Sequence, residues 1–234
     1  MDDNYFKLPR LYTTQRLYDK GVIALEESQA HYLFTVLRRK DSDQVRLFNG
    51  QDGEWLAVLE DLRKKSGQGI LQKQIKAQPQ NAHRIHLLFA PIKKHRMDWL
   101  IEKAVELGVS DFHPIITQNT QNSKIKTERV NNQIFEAAEQ CERLHLPTLH
   151  PIQKLESALD DWPKDIEIMA CLERHDGASL QKIDQDTAIL IGPEGGFTTS
   201  EKAQIAQKAT AITLGEQILR TETAVVKALS LLDG

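Results

Sequence analysis

Cysteine is scarce in this chain: Cys141 and Cys171 are the only two among 234 residues. Their separation fits neither a zinc-finger nor a redox spacing. So few thiols exclude a disulfide scaffold and suit a reducing, cytoplasmic setting, with each thiol expected as a small buried hydrophobe. Long apolar runs are missing too. No stretch approaches the eighteen or so residues a membrane helix needs, so no membrane partner is expected. The acidic, polar opening MDDNYFKLPR lacks the character of a secretory leader. Aromatics are only 6% of the chain, and positive charge is not in excess: the net charge of −3 argues against a surface that grips nucleic acid everywhere. The eight histidines are scattered along the sequence. Neither His83/His86 nor His145/His150 has a convincing ligand spacing, so no metal is expected.

What is present suffices for two folded domains: 40% of the residues are apolar. Residues 1–80 hold 13 Lys and Arg against 11 Asp and Glu, while residues 81–234 hold 17 against 22. A mildly basic smaller part beside an acidic larger part permits local RNA contact. Residues 1–75 read as mostly β. VRLFNG (45–50) and EWLAVLE (54–60) flank the turn residues Gln51-Asp52-Gly53, a hairpin signal. A short helix is predicted over 28–38 with Ser28 as N-cap, and the polar stretch 72–84 reads as a linker. A small barrel-like β domain fits.

From residue 85 onward the texture is that of an α/β domain. IHLLFAP (85–91), FHPIIT (112–117), IEIMACL (166–172), AILIG (188–192) and AITLG (211–215) are short apolar runs of the kind buried on both faces of a parallel sheet. Between them lie helical patterns. Met97, Leu100, Ile101, Ala104 and Leu107 share one face, closed by Gly108, and Thr198-Thr199-Ser200-Glu201 is a capping box.

Two glycine-bearing loops stand out. In AILIGPEGGFTTSE (188–201) a strand runs through Gly192-Pro193-Glu194-Gly195-Gly196 into a helix. Phosphate is the usual guess at such a helix start, but there is no Lys-Ser/Thr pair of a P-loop and no GxGxxG. Glu194 at about 4 Å from a phosphate would also cost roughly 4 kcal/mol at an effective dielectric of 20. A neutral or partly cationic ligand such as S-adenosylmethionine fits better, though an ordinary tight turn fits the loop equally well. LGEQILRTETAVVKAL (214–229) repeats the arrangement, with Gly215, an apolar Ile218-Leu219 expected to be buried, Arg220 and a Thr-capped helix. Loops of consecutive strands in a parallel sheet can converge at its carboxyl edge, where ligands bind.

Taken together, GPEGGF with its following Ser-Glu, and LG-x-x-ILRTETA, resemble the RsmE family, the 16S ribosomal RNA uridine-N3 methyltransferases of the SPOUT class. The resemblance covers nearly the whole chain: Pro9-Arg10, His31 through Arg38 and LFNG (47–50) resemble that family's PUA-like RNA-binding domain. IEKAVELGV (101–109) and EQCER…P (139–147) resemble two further blocks. The resemblance implies a PUA-like β-barrel domain over 1–75 and a SPOUT methyltransferase domain over 76–234 with a deep trefoil knot at its C-terminus. It implies homodimers, S-adenosylmethionine as cofactor, no metal, and methylation of one uridine, conventionally numbered 1498, of 16S rRNA in the small ribosomal subunit. The cofactor would be held by Leu172, Gly192, Pro193, Glu194, Gly195, Gly196, Leu214, Gly215, Ile218, Leu219, Thr221, Thr223 and Ala224. RNA contacts would fall to Arg10, His31, Arg38, Lys93 and Arg143. Arg220 would stabilise the charge left on the uracil oxygens when N3 loses its proton, and Glu222 is a candidate base or helix-start carboxylate. The sequence departs from the family at Gln118-Asn119, where Glu-Arg is usual, at Glu142, which replaces a glycine, and at Leu144-His145. A knotted methyltransferase acting on another rRNA or tRNA position, and a non-catalytic RNA-binding or assembly protein of the same fold, remain open alternatives.

Overall fold

The structure, a computed structural model, describes residues 5–80, 83–172, 178–180 and 184–233. The chain divides into two compact units, 1–80 with 138–145, and 81–137 with 146–234.

In the first unit β1 (Arg10–Tyr12), β2 (Val22–Ala24), β3 (Gln44–Phe48), β4 (Glu54–Glu60) and β5 (Gln68–Lys76) form a sheet in the order β1-β3-β4-β5-β2. β3 and β4 are the expected hairpin, with Val45 opposite Ala57 and Leu47 opposite Trp55. Leu11 of β1 and Ile23 of β2 belong to the same buried cluster as Val45, Leu47 and Leu59, although their strands are the two edges. The sheet therefore curls around one core, as a small barrel does.

Two local expectations need correction. The helix α1 (Glu27–His31) starts after Glu26, not Ser28, because Gln29 Oε1 accepts from the Glu26 N–H at 3.1 Å and closes the first turn. It then widens into a π-helical stretch, Tyr32–Val36, in which only Leu33 is buried. The linker begins later than composition suggests. Gln72, Lys73, Gln74 and Lys76 belong to β5, laddered on β4 with Trp55 opposite Gln74 and Glu54 opposite Lys76. A strand with one solvated side needs few apolar residues, so its polar end passes for a loop.

The second unit carries β6 (Ile85–Phe89), α2 (Lys94–Glu106), β7 (Asp111–Ile116), α3 (Thr127–Gln140, whose last three residues fall in the first unit), β8 (Thr148–Leu149), β9 (Gln153–Lys154), α4 (Leu155–Asp160), β10 (Glu167–Cys171), β11 (Ala178–Ser179), β12 (Thr187–Ile191), α5 (Thr199–Lys208), β13 (Thr210–Thr213) and α6 (Thr221–Asp233). Among the described residues every pairing in this sheet is parallel, in the order β11-β13-β10-β12-β6-β7-β8, with β9 beside β7. All five residues of β6 and of β12 are buried, as continuous apolar runs in a covered parallel sheet require. On one face Leu88, Leu190 and Ile168 pack with Leu155 and Leu159 of α4 and Ile205 of α5. The alternate residues Leu87, Phe89 and Ile189 are equally buried, with α6 packed on β12 and α2 packed on α6. Thr198 caps α5: its Oγ1 accepts from the Glu201 N–H at 3.3 Å while Glu201 Oε2 accepts from the Thr198 N–H at 2.8 Å. Among the described residues no helix is long and apolar enough to cross a membrane.

Candidate active site

β13, β10 and β12 are neighbours and parallel, so their carboxyl ends reach the same edge of the sheet. The segments that leave them are 214–220, Leu172 and 192–198. They surround one cavity of about 750 Å³, within the size range of a nucleoside-binding pocket. From the first side Leu172, Gly192, Pro193, Glu194 and Gly196 line it. From the other come Leu214, Gly215, Ile218, Leu219, Arg220, Thr221 and Ala224. Gly195, Glu222 and Thr223 fall outside the lining. Thr223 is exposed on α6. Ile218, expected to be buried, is 60% exposed at the mouth.

The two loops are joined directly. Thr221 Oγ1 donates to the carbonyl of Gly192 at 3.2 Å, so the first residue of α6 is bonded to the end of β12. Gly192 owes its identity to close packing. A Cβ there would stand 2.8 Å from Phe197 Cε2 and 3.0 Å from Cζ. Phe197 is itself buried with Leu172, Leu190 and Ile205, so the ring belongs to the core. Gly195 is kept small by Asn119, whose Cβ would lie 3.0 Å from an added methyl. The Asn119 amide donates to both the Gly195 and Gly196 carbonyls at 3.0 Å, and the Gln118 N–H donates to Glu201 Oε1 at 2.7 Å. At the position where the resemblance leads one to expect an arginine, a neutral amide thus holds the glycine loop.

Arg96 of α2 is a site residue that the sequence did not indicate. It pairs with Glu194, and its Nε lies 3.6 Å from Glu222 Oε1. Arg96, set between two carboxylates, thus offsets part of the Glu194 charge that weighs against a phosphate at this loop. Arg220 lines the cavity and forms no ion pair among the described residues. Glu222 is buried, and its Oε2 has no hydrogen-bond partner among the described residues. Cys171, half-buried at the floor and not fully enclosed as expected, has its thiol pushed up to about 12 by burial. It is a neutral, inert wall.

Residues 79–233 match the family model described as an RNA methyltransferase domain, and residues 25–72 that of an RNA methyltransferase PUA domain. The chain is 35% identical to the ribosomal RNA small subunit methyltransferase E of Rickettsia conorii, over 96% of this chain and 94% of that one. It belongs to the ribosomal RNA small subunit methyltransferase E family. Among solved structures it is similar to a methyltransferase from Legionella pneumophila in complex with bound SAM, with a TM-score of 0.87 at 28% identity, covering 97% of each chain. It is likewise similar to the methyltransferase E of Neisseria gonorrhoeae bound to S-adenosyl methionine, with a TM-score of 0.86 at 28% identity over 95% of each chain.

The RNA candidates that this family resemblance suggested divide sharply. Arg10 is 7% exposed, and its guanidinium is already fully engaged. It donates to Glu54 Oε1 at 2.9 Å and to the carbonyls of Ala138 at 2.7 Å and Arg143 at 2.9 Å, and lies 3.5 Å over the Phe48 ring. The expectation of an RNA contact there is corrected: Arg10 is a structural centre of the first unit. Arg143 is partly buried, and burial pushes its guanidinium down to about 10, where it keeps its charge. Glu142, where the resemblance leads one to expect a glycine, has a left-handed backbone at φ +59° and pairs with Arg46 at 2.8 Å. That ion pair offsets part of the strain a side chain brings there. His31 and Arg38 are exposed beside the exposed rings of Tyr32 and Phe34. Lys93, exposed at the start of α2, borders a small cleft with Asn119 and Glu194.

Proposed function

We propose that this chain methylates N3 of a single uridine of 16S rRNA in the small ribosomal subunit, using S-adenosylmethionine. The observation that carries the reading is the shared cavity: two glycine-bearing loops, bonded through Thr221 and Gly192, with Arg220 at its wall and in no ion pair among the described residues. Bound there, S-adenosylmethionine supplies a methyl group made electrophilic by its sulfonium. Main-chain groups at 192–196 and 214–219 would hold the nucleoside, where Gly196 leaves the backbone open to it. Charges of both signs border the cavity, Arg96, Lys202 and Arg220 against Glu194 and Glu216, which suits a ligand carrying an ammonium, a sulfonium and a carboxylate.

Uracil N3 attacks only after losing its proton, and the resulting charge spreads over O2 and O4. Arg220 would face that charge, a contribution on the order of 3 kcal/mol for a donor aimed at a developing oxyanion. Glu222 lies behind the lining, 3.6 Å from Arg96. Its part would be to position Arg96, and through it Glu194, rather than to take the proton. Arg38 and Lys93, with the exposed His31, are the remaining residues proposed to contact phosphate. The reading includes the family's knotted C-terminus and its homodimer, the latter supported by the exposed Trp99 and Leu231 on the packed helices α2 and α6. It also includes a cytoplasmic location.

Calorimetric titration with S-adenosylmethionine, followed by methyl transfer to naked 16S RNA, 30S particles and tRNA with mass mapping of the product base, tests the reading. One bound equivalent and N3-methyluridine in 16S RNA are expected. Methyl on tRNA, or no heat with the cofactor, would overturn it. Arg220→Ala should lower turnover at saturating substrates by a factor of about 100 or more.

A further inference from the structure

The histidines that look scattered in sequence are gathered in space. His86 Nδ1 lies 3.1 Å from His113 Nε2 and 3.5 Å from Asp111 Oδ2. His150 Nε2 bonds Asp111 Oδ1 at 2.8 Å, and its ring stacks on His113 at 4.0 Å and 10°. Trp162 stands nearly perpendicular to His86, 5.5 Å away. We propose that His86, His113 and Asp111 form a binding site for a divalent transition-metal ion of the zinc type, at the amino edge of the sheet.

Geometry carries the inference. Ligands at about 2.0–2.1 Å around a tetrahedral ion stand roughly 3.3 Å apart, and the separations from His86 Nδ1, 3.1 and 3.5 Å, bracket that spacing. The three ligand atoms all lie within 4.8 Å of one another. The donor set of two imidazoles and a carboxylate suits zinc, cobalt or nickel and not magnesium or calcium. Around it stands the outer layer such sites use: His150 fixes one carboxylate oxygen and supports the His113 ring by stacking. Asp111 and His86 are buried while Arg84 and His150 are half-exposed, which leaves an approach from the Arg84 side.

Arg84 is the competing cation. It holds Asp111 with two nitrogens, at 2.7 to 2.9 Å, and so balances the carboxylate when no ion is there. An ion must share Asp111 with this guanidinium or displace it. A site of this kind therefore tightens when Arg84 loses its charge, whereas a purely structural salt-bridge cluster only loosens. The cluster is also independent of methyl transfer. In the β6–β12 register His86 is level with Ala188, four residues before Gly192, or roughly 13 Å along the strand.

The test uses the full chain, stripped with a chelator and titrated with Zn²⁺ by calorimetry and with Co²⁺ by visible absorption. Expected are one equivalent of Zn²⁺, a rise in Tm, and an intense low-coordinate Co²⁺ spectrum. His113→Gln should weaken Zn²⁺ binding at least tenfold, Arg84→Gln should strengthen it by a similar factor, and His83→Gln with His95→Gln should leave it unchanged. Since His113→Gln can disturb the stacked rings, Arg84→Gln at the half-exposed rim is the deciding variant. Binding that is absent in the parent, unchanged by His113→Gln, or weakened by Arg84→Gln overturns the proposal, whatever the outcome of the methylation assay.

Discussion

Adding one methyl group at Gly192 is the sharpest perturbation of the pocket. An alanine Cβ would sit 2.8, 3.0 and 3.2 Å from three carbons of the Phe197 ring. Ordinary carbon–carbon contacts lie near 3.5–4.0 Å, so something must retreat by close to 1 Å. The ring has little room: Phe197 is 8% exposed and packed against Leu172, Leu190 and Ile205. The backbone has little freedom either, because the Gly192 carbonyl accepts from Thr221. Overpacking of this kind costs about 1–3 kcal/mol. That strain falls on the bond joining the two loops, so it should appear both as a lower Tm and as S-adenosylmethionine affinity weakened by about five- to a hundredfold. Thermal unfolding and calorimetry on Gly192→Ala, Phe197→Leu and the double variant form a cycle. Leucine is shorter than phenylalanine, so the double variant should recover at least half of what Gly192→Ala loses. If Gly192→Ala behaves like the parent, or if the two effects simply add, the clash does not govern the pocket.

Three further outcomes follow from single contacts. Asn119→Ala removes both exposed amide bonds to the glycine loop, about 1 kcal/mol each; cofactor affinity should fall by up to about thirtyfold with a modest drop in Tm, and an undiminished affinity in calorimetry contradicts the assigned role. Arg10→Met leaves Glu54 buried with only Arg46, at 3.3 Å, and should cost about 3 kcal/mol in denaturant unfolding while RNA affinity of the folded variant holds; the opposite pattern would restore Arg10 as an RNA contact. Burial moves the Cys171 thiol from 9.0 to about 12, so at pH 8 its thiolate is about a thousandfold rarer than for an ordinary thiol. Iodoacetamide followed by peptide mass mapping should label Cys171 far more slowly in the folded chain than in urea, and equal rates would refute the burial argument.

How much of this was readable beforehand depended on the range of the interaction involved. The β3–β4 hairpin, the capping box at Thr198 and the buried strands β6 and β12 are written in neighbouring residues, and the sequence pattern located each of them. The polar end of β5 was misread because its partner, β4, supplies the pairing that its own composition does not suggest. Arg10 looked like a surface cation because its acceptors, Glu54 and the carbonyls of Ala138 and Arg143, lie 44 to 133 residues away. The ties of Asn119 and Arg96 to the glycine loop were missed for the same reason, as each comes from another element.

The two edges of the second sheet show the rule most clearly. In a parallel sheet every strand delivers its carboxyl end to one edge, so residues just after two strands share that edge whatever the strand order. The glycine loops could therefore be placed on one edge of the sheet before the order β13-β10-β12 was known. The cluster at the amino edge had no such shortcut. His86, Asp111 and His113 meet only because β6 lies directly beside β7, and His150 joins them only because β8 continues that order. Each histidine is locally unremarked, and the chemistry they can perform together exists only in the register.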